Sequence, residues 1–395
     1  MVRSCDVMGE IRRSVGFSHH IRIITYMVNT ERLLATFLQL VQLDSPSGHE
    51  QAVAEYVRAY LRRIGISSSI DAYGNVLARL AATRAARPML LSAHLDTVEP
   101  GRGIVPKVHN GTIRSSGTTV LGADNKVAVA AILEALTVSC EHSTLMPVPV
   151  ELVFTVSEEV ANLGAVHVDY RSLRATYGYT FDSANPIGTI ITASPYYSRF
   201  DAVLTGVACH ASRPEAGVNA LTLCVDALAH IPTGRIDKAT VCNVGVVRAG
   251  AVRNTVPGEV VVQGEVRSFT EAGLVGATDH IHQAFAQATR VVGAAARVDV
   301  VRENVGFRLG AAHPLVRRGA HVLRGLTLQP VLKESYGCSD ANTFYEHGIT
   351  VLNFGNGVRD NHTVSESITT DDLGLLARLV LSLITGQLTE ITQNS

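Results

Sequence analysis

The feature that most constrains the fold is a series of short apolar runs, each followed by a histidine or a carboxylate. Residues 89–93 lead into His94, residues 150–156 lead into Glu158, and the run YGYTF leads into Asp182. Runs of this kind are typical of buried parallel strands. Ligands of an open α/β sheet bind beyond the carboxyl ends of its strands. We therefore expect these side chains, distant in sequence, to meet at one edge of a sheet.

The length and composition indicate a globular protein with two domains. A chain of 395 residues exceeds the size at which a single hydrophobic core stops growing. With 46% hydrophobic and 17% charged residues, it lacks the composition of a disordered protein. The net charge of -1 provides no basic excess for nucleic acid. No apolar run reaches the roughly 18 residues of a membrane span. We expect neither nucleic acid nor a membrane as a partner.

The cysteines indicate a reducing environment. The six cysteines are scattered and never form a C-x-x-C pair. This distribution argues against a disulfide framework and against a thiolate zinc site. The sequence therefore predicts a cytoplasmic protein.

Residues 1–28 are predicted to form an N-terminal extension that is disordered or not native. They contain Arg12 and Arg13 but no apolar segment before a small-residue cleavage site, so they do not resemble a signal peptide. A helical pattern begins after Asn29, a suitable helix cap. Because the composition changes there, both Met1 and Met27 are candidate start residues.

The order of the elements predicts an α/β catalytic domain interrupted by an inserted α+β domain. Residues 29–195 and 306–395 contain the strands that end in polar residues, and we expect them to form a mixed, mostly parallel sheet flanked by helices. Residues 196–305 follow the order strand, helix, strand, strand, helix, strand, which is typical of a ferredoxin-like unit. An apolar strand returns before His362, which indicates that this unit is an insertion.

The side chains expected at the sheet edge have the composition of a metal site. His94 and His362 supply imidazoles, and carboxylates come from Asp124, Glu159 and Asp182. Three bare carboxylates would repel one another, and divalent cations remove that cost. Nitrogen and oxygen ligands without sulfur suit Zn²⁺, Co²⁺ or Mn²⁺. Five ligands are too many for one catalytic zinc, but they suit two cations that share a carboxylate.

Two further carboxylates have predicted roles beside these ligands. Glu158 is adjacent to Glu159 and need not bind a metal itself, so it is the candidate general base for a metal-activated water. Asp96 follows His94 by two residues on the same side of the strand, where it would orient the imidazole. Each residue alone also has a common structural explanation, since a single histidine after a strand is usually structural and a Glu-Glu pair is usually a solvated helix start. Their combined order favours the metal site.

At these residues the chain resembles the di-zinc peptidase family that includes peptidase T, Xaa-His dipeptidases, acetylornithine deacetylase and glutamate carboxypeptidase. The segments SAHLDTV, LGADNKVAVAAILEAL, TVSEEVANLGA, FDS, GCSDANTF and NHTVSESI fall in the order of that family. The resemblance covers nearly the whole chain from about Asn29. It is strongest to peptidase T-like members, through SDAN, FDSANPIG and HTVSE.

The resemblance implies two divalent metal ions in each subunit, most often zinc. One ion would be held by His94, Asp124 and Asp182. The other would be held by Asp124, Glu159 and His362, so that Asp124 bridges the two ions. The inserted domain would be a lid that also mediates a homodimer.

The resemblance also assigns residues that act on the substrate. Glu158 matches the general base, and Asp96 matches its supporting residue. His210 matches a lid histidine that helps to polarise the scissile carbonyl, often across the dimer; a histidine in a surface loop is the alternative. Asn254 and Arg267 lie where relatives bind the carboxylate end of the substrate, although a salt bridge within the lid would also account for Arg267.

Two positions depart from the peptidase T pattern. Cys338 stands where a glycine often precedes SDAN, where it would crowd the site or offer a thiol. The loop after His210 reaches Pro214 one residue earlier than in many peptidase T sequences. Other members of the family share the shorter loop, so the exact tripeptide specificity stays open.

The sequence predicts an enzyme that releases the N-terminal residue of short peptides. Asp182 favours this activity, because the deacylase and carboxypeptidase members more often have glutamate at that position. The alternatives are an N-acyl amino acid deacylase or amidase, a carboxypeptidase of the same family, and an inactive metal-binding or peptide-binding scaffold. A phosphatase or nuclease is disfavoured because no cluster of arginine and lysine flanks the motifs.

Overall fold

The computed structural model of the chain describes residues 27–81, 86–142, 145 and 147–385. The predicted extension therefore lies outside the described residues, except for its last two positions. By its internal contacts the chain divides into two units. The first comprises the described residues up to Thr192, Leu309–Glu334 and the described residues from Ser339 onward. The second comprises Ala193–Arg308 and Ser335–Cys338.

Helices and strands alternate along most of the described chain. In chain order the helices are α1 (Thr30–Val41), α2 (Gln51–Arg63), α3 (Ala123–Glu141), α4 (Leu163–Val166), α5 (Ala220–His230), α6 (Glu271–Ala288), α7 (Pro314–Gly325), α8 (Asp340–Glu346) and α9 (Thr370–Thr385). The strands are β1 (Ser68–Ile70), β2 (Val76–Leu80), β3 (Met89–His94), β4 (Pro106–His109), β5 (Thr112–Ser115), β6 (Val150–Thr155), β7 (Tyr177–Thr180), β8 (Thr189–Ser194), β9 (Tyr196–Thr205), β10 (Cys209–His210), β11 (Gly234–Arg235), β12 (Thr240–Ala249), β13 (Thr255–Val256), β14 (Glu259–Ser268), β15 (Ala295–Asn304), β16 (Phe307–Arg308), β17 (Val331–Glu334), β18 (Thr350–Phe354) and β19 (Ser367–Thr369). None of the helices in the described part of the chain has the length and apolar character that a membrane span requires.

A mixed sheet forms the centre of the first unit, as predicted. Its strands are ordered β1-β2-β6-β3-β7-β18-β8, and β17 also pairs with β8. β3 runs parallel to β6 and to β7, and β18 runs parallel to β7. The pairs β1–β2, β2–β6 and β8–β18 are antiparallel. The parallel pairs are thus confined to the central strands β6, β3, β7 and β18.

The central elements of the first unit are buried because their side chains are mostly apolar on every side. β3 and β6 are buried at each residue. α3 is buried along almost its whole length, as expected of a helix without a polar face. α1 begins at the predicted cap, where the Asn29 side chain accepts a hydrogen bond from the backbone N–H of Arg32 at 2.9 Å. The buried strands provide a rigid support for the residues that follow them.

The second unit is built on an antiparallel sheet of five strands, ordered β11-β12-β14-β9-β15. Apolar residues of the sheet, such as Phe200 and Val262, share one buried cluster with residues of α5 and α6, such as Cys224 and Phe285. The sequence of β9, α5, β12, β14, α6 and β15 follows the predicted order of the inserted domain. The short strands β10, β11 and β13 are additions that the sequence pattern did not predict.

A short segment far along the chain also belongs to the second unit. The prediction placed Ser335–Cys338 in the catalytic domain, but these residues group with Ala193–Arg308. The backbone N–H of Ser335 donates to the carbonyl of Ala193 at 3.0 Å. The Ser194 hydroxyl donates to the carbonyl of Gly337 at 2.9 Å. Local apolar patterns contain no information about such a long-range contact, so the sequence boundaries missed it.

Candidate metal centre

Three of the predicted ligands lie beyond the carboxyl ends of adjacent parallel strands. His94 is the last residue of β3, Glu159 follows β6, and Asp182 follows β7. Because β3 pairs with both β6 and β7, these side chains lie at one edge of the sheet. Asp124 reaches the same place from the start of α3, and His362 reaches it from the loop before β19. The predicted convergence of distant residues is therefore present.

His94, Asp124 and Asp182 form one cluster, here called the first triad. The Nε2 atom of His94 lies 3.7 Å from Oδ1 of Asp124 and 3.6 Å from Oδ1 of Asp182. The three candidate ligand atoms lie within 4.8 Å of one another. One imidazole nitrogen and two carboxylate oxygens thus face a common point.

Asp124, Glu159 and His362 form a second cluster, here called the second triad. The Nε2 atom of His362 lies 3.0 Å from Oε1 of Glu159 and 3.6 Å from Oδ2 of Asp124. Asp124 therefore presents one oxygen to each triad. A further grouping joins His94, Glu158 and Glu159 at similar distances, so proximity alone does not separate Glu158 from the ligands.

The residues of both triads fit divalent cations. The Oδ1 atom of Asp124 is buried, and it accepts no hydrogen bond from the described residues. A buried carboxylate oxygen without a partner is costly, and a cation placed between the triad atoms would satisfy it. The nitrogen and oxygen donors, without sulfur, suit borderline or hard divalent metals. The site therefore has the donor set of two cations that share Asp124.

Hydrogen bonds from backbone N–H groups hold Asp124 in place at the start of α3. Gly122 has a φ of 68°, and the backbone angles of Asp124 and Asn125 are not helical, so α3 begins irregularly. The carboxylate of Glu366 accepts hydrogen bonds from the backbone N–H groups of Gly122 at 2.7 Å and of Asp124 at 2.9 Å. Glu366 thus fixes the backbone that carries the shared carboxylate.

Asp96 connects the two sides of the site. Its Oδ1 atom lies 3.3 Å from Nδ1 of His94, as the prediction of an orienting role requires. Its two oxygens also accept hydrogen bonds from the backbone N–H of Glu158 at 3.0 Å and of Glu159 at 3.1 Å. The hydroxyl of Ser47 donates to the same carboxylate at 2.7 Å. The buried Asp96 side chain therefore contacts both the His94 imidazole and the backbone of the Glu-Glu pair.

The segment after β6, residues 157–162, is here called the base turn. Ser157, Ala161 and Asn162 have φ values of 52°, 65° and 54°, which residues other than glycine rarely adopt. The buried carboxylate of Glu50 accepts hydrogen bonds from the backbone N–H of Ser157 at 2.9 Å and from its hydroxyl at 3.1 Å. An unusual backbone of this kind persists only where surrounding contacts determine it. The base turn is held by such contacts.

Burial and crowded charges shift the proton affinities of the site. Hydrogen bonds to Asp124 and Glu159 raise the pKa of His362 to about 10. Burial raises the pKa of Asp182 to about 6. Burial, together with the nearby Asp182 carboxylate, raises the pKa of Glu158 well above its usual range. The crowded carboxylates therefore repel one another. A bound divalent cation would compensate their negative charge.

His210 and Asn254 lie near each other in the second unit. β10 pairs with β13 so that His210 stands opposite Thr255, and the backbone N–H of Ala211 donates to the carbonyl of Asn254 at 2.9 Å. The His210 imidazole is exposed, and its Nδ1 atom lies 2.7 Å from the Ser212 hydroxyl. The roles of His210 and Asn254 in catalysis and substrate binding remain predictions.

Arg267 makes the salt bridge that was the alternative explanation for it. Its guanidinium donates two hydrogen bonds of 3.0 Å to the carboxylate of Glu265. It also donates to the carbonyl of Tyr336 at 2.9 Å and lies 4.6 Å from the ring centre of Tyr197. The substrate-binding role of Arg267 remains a prediction. Cys338 is half-buried, and its Sγ atom lies 3.7 Å from the carbonyl oxygen of Pro195.

Sequence reasoning missed the residues that support the site. Glu366 and Asp340 lie in the quoted segments NHTVSESI and GCSDANTF, so membership of a resembling motif was an available signal. Asn162 likewise lies in the quoted segment TVSEEVANLGA, whereas Glu50 has no local pattern that distinguishes it from ordinary polar residues. Their contribution depends on contacts with residues far away in the chain, which only the folded structure brings together.

The chain is similar to a family model and to known proteins. Residues 90–386 match peptidase family M20/M25/M40. The uncharacterised protein YqjE of Bacillus subtilis (strain 168) is 33% identical over 371 residues, which are 91% of this chain and 99% of that protein.

Two solved structures are similar over nearly their whole length. The aminopeptidase PepT of Bacillus cereus ATCC 10987 is 32% identical with a TM-score of 0.85, covering 91% of this chain and 99% of that one. A tripeptidase of Staphylococcus aureus subsp. aureus Mu50 is 31% identical with a TM-score of 0.87, covering 91% and 98%.

The fold, the clustered ligands and these matches define a metallopeptidase. More particularly, the chain belongs to peptidase family M20/M25/M40, since the family match spans most of it and a relative of 33% identity covers 91% of it. The resemblance found in the sequence motifs is thereby confirmed.

Proposed function

We propose that the protein is a metal-dependent aminopeptidase that removes the N-terminal residue from short peptides. The observation that carries this proposal is the pair of triads that share Asp124, each with one imidazole and two carboxylates within reach of one cation. Full-length similarity to an aminopeptidase PepT and to a tripeptidase supports the choice of substrate.

In this proposal, one divalent cation is held by the first triad and another by the second, with Asp124 common to both. Zn²⁺ suits the donor set best, and Co²⁺ or Mn²⁺ would also suit it. Bound there, the cations would supply Lewis-acid chemistry that polarises the scissile carbonyl and lowers the pKa of water.

Glu158 is the proposed general base. It accepts a proton from the attacking water as the new C–O bond forms, and it gives that proton to the leaving nitrogen as the C–N bond breaks. Burial raises the pKa of Glu158, and a higher proton affinity favours its taking the proton from water. Asp96 keeps the backbone of Glu158 and the imidazole of His94 in a fixed relation during these transfers.

Residues of the second unit are proposed to contact the substrate. His210 would donate a hydrogen bond to the scissile carbonyl oxygen, where negative charge develops. Asn254 and Arg267 would bind the carboxylate end of the peptide. Arg267 is already paired with Glu265, so a substrate carboxylate would replace or join that partner.

We also propose a homodimer formed through the second unit and a cytoplasmic location. The dimer is an expectation from the family resemblance. Among the described residues, Cys140, Cys209, Cys224, Cys242 and Cys338 form no disulfide bond. Cysteines without disulfide bonds suit a reducing compartment.

A panel of peptides tests the proposed activity. The protein is reconstituted with Zn²⁺, Co²⁺ or Mn²⁺ and incubated with dipeptides, tripeptides and tetrapeptides that have free or acetylated N-termini, and the products are identified by mass spectrometry. Release of the N-terminal residue from free-amine peptides supports the proposal. Cleavage of acetylated substrates alone would indicate a deacylase, and release of the C-terminal residue would indicate a carboxypeptidase.

Replacement of Glu158 tests the proposed base. Glu158→Gln removes the proton acceptor but keeps the shape of the side chain, so kcat should fall about 100- to 10,000-fold. Elemental analysis should still find two metal ions per chain, since Glu158 is not a proposed ligand. An active Glu158→Gln variant would refute this role. Wild-type protein that binds metals but cleaves no peptide would favour the scaffold alternative.

A further inference from the structure

The side-chain amide of Asn162 lies between two carboxylates. Its Nδ2 atom is 3.0 Å from Oε1 of Glu158 and 3.2 Å from Oδ1 of Asp340. Asn162 and Asp340 are 3% and 2% exposed, so water does not substitute for these bonds. An amide nitrogen has two hydrogens, and it can therefore donate to both carboxylates at once. The carbonyl oxygen of an amide cannot replace it, because ionised carboxylates only accept hydrogen bonds.

Asp340 is itself firmly placed. It is the first residue of α8, which Ser339 caps by accepting a hydrogen bond from the backbone N–H of Ala341. The second oxygen of Asp340 accepts a hydrogen bond from the buried hydroxyl of Thr155, the last residue of β6. The carboxylate that faces Asn162 is thus connected to a central strand and to a helix start, and it offers the amide a fixed partner.

The backbone conformation of the base turn directs the Asn162 side chain toward Glu158. The backbone N–H of Asn162 donates to the carbonyl of Glu158 at 2.9 Å, and the left-handed φ of 54° ends this turn. Asparagine adopts this conformation more readily than most residues. The position thus combines a backbone requirement with a side-chain donor, which few residue types can meet together.

Glu158 needs such a restraint because of its neighbours. A carboxylate oxygen of Glu158 groups with ligand atoms of His94 and Glu159 at distances suited to a metal. An unrestrained glutamate there could bind a cation instead of accepting a proton. The hydrogen bond from Asn162 occupies Oε1, so that Oε2 is the oxygen left to exchange a proton with water.

We propose that Asn162 and Asp340 are positioning residues for Glu158: Asp340 fixes the Asn162 amide, and the amide holds the Glu158 carboxylate in place for proton transfer. This inference rests on the proposed function, in which Glu158 is the general base. Neither residue contacts the substrate in this proposal. Their effect is therefore on the rate of the chemical step and not on substrate binding.

Steady-state kinetics of three variants test the proposal. Asn162→Gly removes the amide but accepts the left-handed backbone, and Asn162→Asp keeps the size of the side chain but removes the donor. Asp340→Asn keeps the shape of the second carboxylate but weakens its hold on the amide. We expect kcat to fall about 10- to 100-fold in both Asn162 variants and less in Asp340→Asn. KM should change by less than about twofold, with two metal ions retained, because binding is not affected.

A double-mutant cycle separates positioning from a general structural role. In a Glu158→Asp background the shortened carboxylate cannot reach the amide, so adding Asn162→Gly should change kcat by less than about twofold. An equal loss in both backgrounds would overturn the proposal, as would an unchanged kcat in Asn162→Gly and Asp340→Asn. If Asn162→Gly does not fold, Asp340→Asn is used in the same cycle.

The outcome for Glu158→Gln distinguishes this proposal from the proposed function. If Glu158→Gln is inactive while the Asn162 variants retain full kcat, only the positioning proposal fails. If Glu158→Gln is active, the general base itself is wrong, and the proposed mechanism fails together with the inference that rests on it.

Discussion

The sheet edge of the first unit and the sheet of the second unit differ in how far their charged side chains are buried. At the sheet edge of the first unit, the side chains of Asp96, Asp124 and Asp340 are almost completely buried, although all three are carboxylates. On the sheet of the second unit, Arg297 and Asp299 form an ion pair of 3.0 Å with side chains that are 75% and 55% exposed. Buried charges are costly unless cations or hydrogen bonds compensate them, whereas exposed pairs are solvated and contribute little. A buried carboxylate that no positively charged side chain neutralises therefore indicates a functional site, whereas an exposed ion pair does not.

The largest expected effect comes from emptying the metal centre. Asp124→Ala removes the carboxylate that both triads share, and chelation removes the cations themselves. Metal ions contribute several kcal/mol of transition-state stabilisation, which corresponds to a loss of about a thousandfold in kcat/KM. The measurement is peptide hydrolysis with parallel elemental analysis. Restoration of activity by added metal in the chelated protein, but not in Asp124→Ala, would confirm the assignment; unchanged activity in Asp124→Ala would contradict it.

A smaller effect is expected from replacing Glu366, which accepts hydrogen bonds from the backbone at Gly122 and Asp124. Glu366→Gln keeps the shape of the side chain but replaces one of two accepting oxygens, so the backbone N–H of Gly122 or Asp124 loses its partner. Residues that orient metal ligands typically contribute about 10- to 100-fold to metal affinity or activity. Metal titration should therefore show weaker binding in Glu366→Gln. Wild-type affinity would mean that Glu366 has no role in presenting Asp124.

Metal binding should release protons. In chelated protein the pKa of His362 is raised to about 10, so its imidazole is protonated near pH 8 and must lose that proton to bind a cation. Apparent metal affinity should rise with pH toward that value. Conversely, the hydrogen bonds of the His362 imidazolium stabilise chelated protein most fully below about pH 6.5, and this contribution is lost as the pH rises through about 10. Calorimetric titration in buffers of different ionisation enthalpy measures the protons, and equal heats in all buffers would contradict the prediction.

The smallest effect is expected on the sheet of the second unit. Replacing Arg297 and Asp299 together by Gln and Asn removes an exposed ion pair, which typically contributes about 0.2–1 kcal/mol at most. Thermal unfolding should change slightly, and peptide hydrolysis should not change. A large loss of activity in this double variant would show that exposed charge of the second unit takes part in function, and it would remove the contrast between the units.

The sequence predicted the candidate metal ligands better than it predicted the residues that hold the site in place. Each of His94, Glu159 and Asp182 follows an apolar strand, and that pattern is visible locally because burial on both faces requires a continuous apolar run. Asn162 and Glu50 follow no such pattern. Their partners are Asp340, 178 residues away from Asn162, and Ser157, 107 residues away from Glu50. Hydrogen bonds over such separations have no local signature.

The same limit applies to Arg267 and to the segment Ser335–Cys338. The sequence could place Arg267 on a strand, but two partners for a guanidinium were plausible, a substrate carboxylate or a neighbouring glutamate. The structure shows the pair with Glu265 and a bond to the carbonyl of Tyr336. The contact with Tyr336 also shows why a short segment late in the chain belongs to the second unit.

The sequence by itself determined the fold class, the order of the two units and the identity of the residues that meet at the sheet edge, because apolar periodicity and strand polarity are encoded in neighbouring residues. Only the tertiary structure decided how those residues are oriented. Asp124 offers one oxygen to each triad, Asp96 contacts both His94 and the Glu-Glu pair, and the Asn162 amide donates a hydrogen bond to Glu158. Orientation depends on directional hydrogen bonds and on the cost of leaving buried polar groups unpaired. Both are properties of the packed chain and not of any local segment.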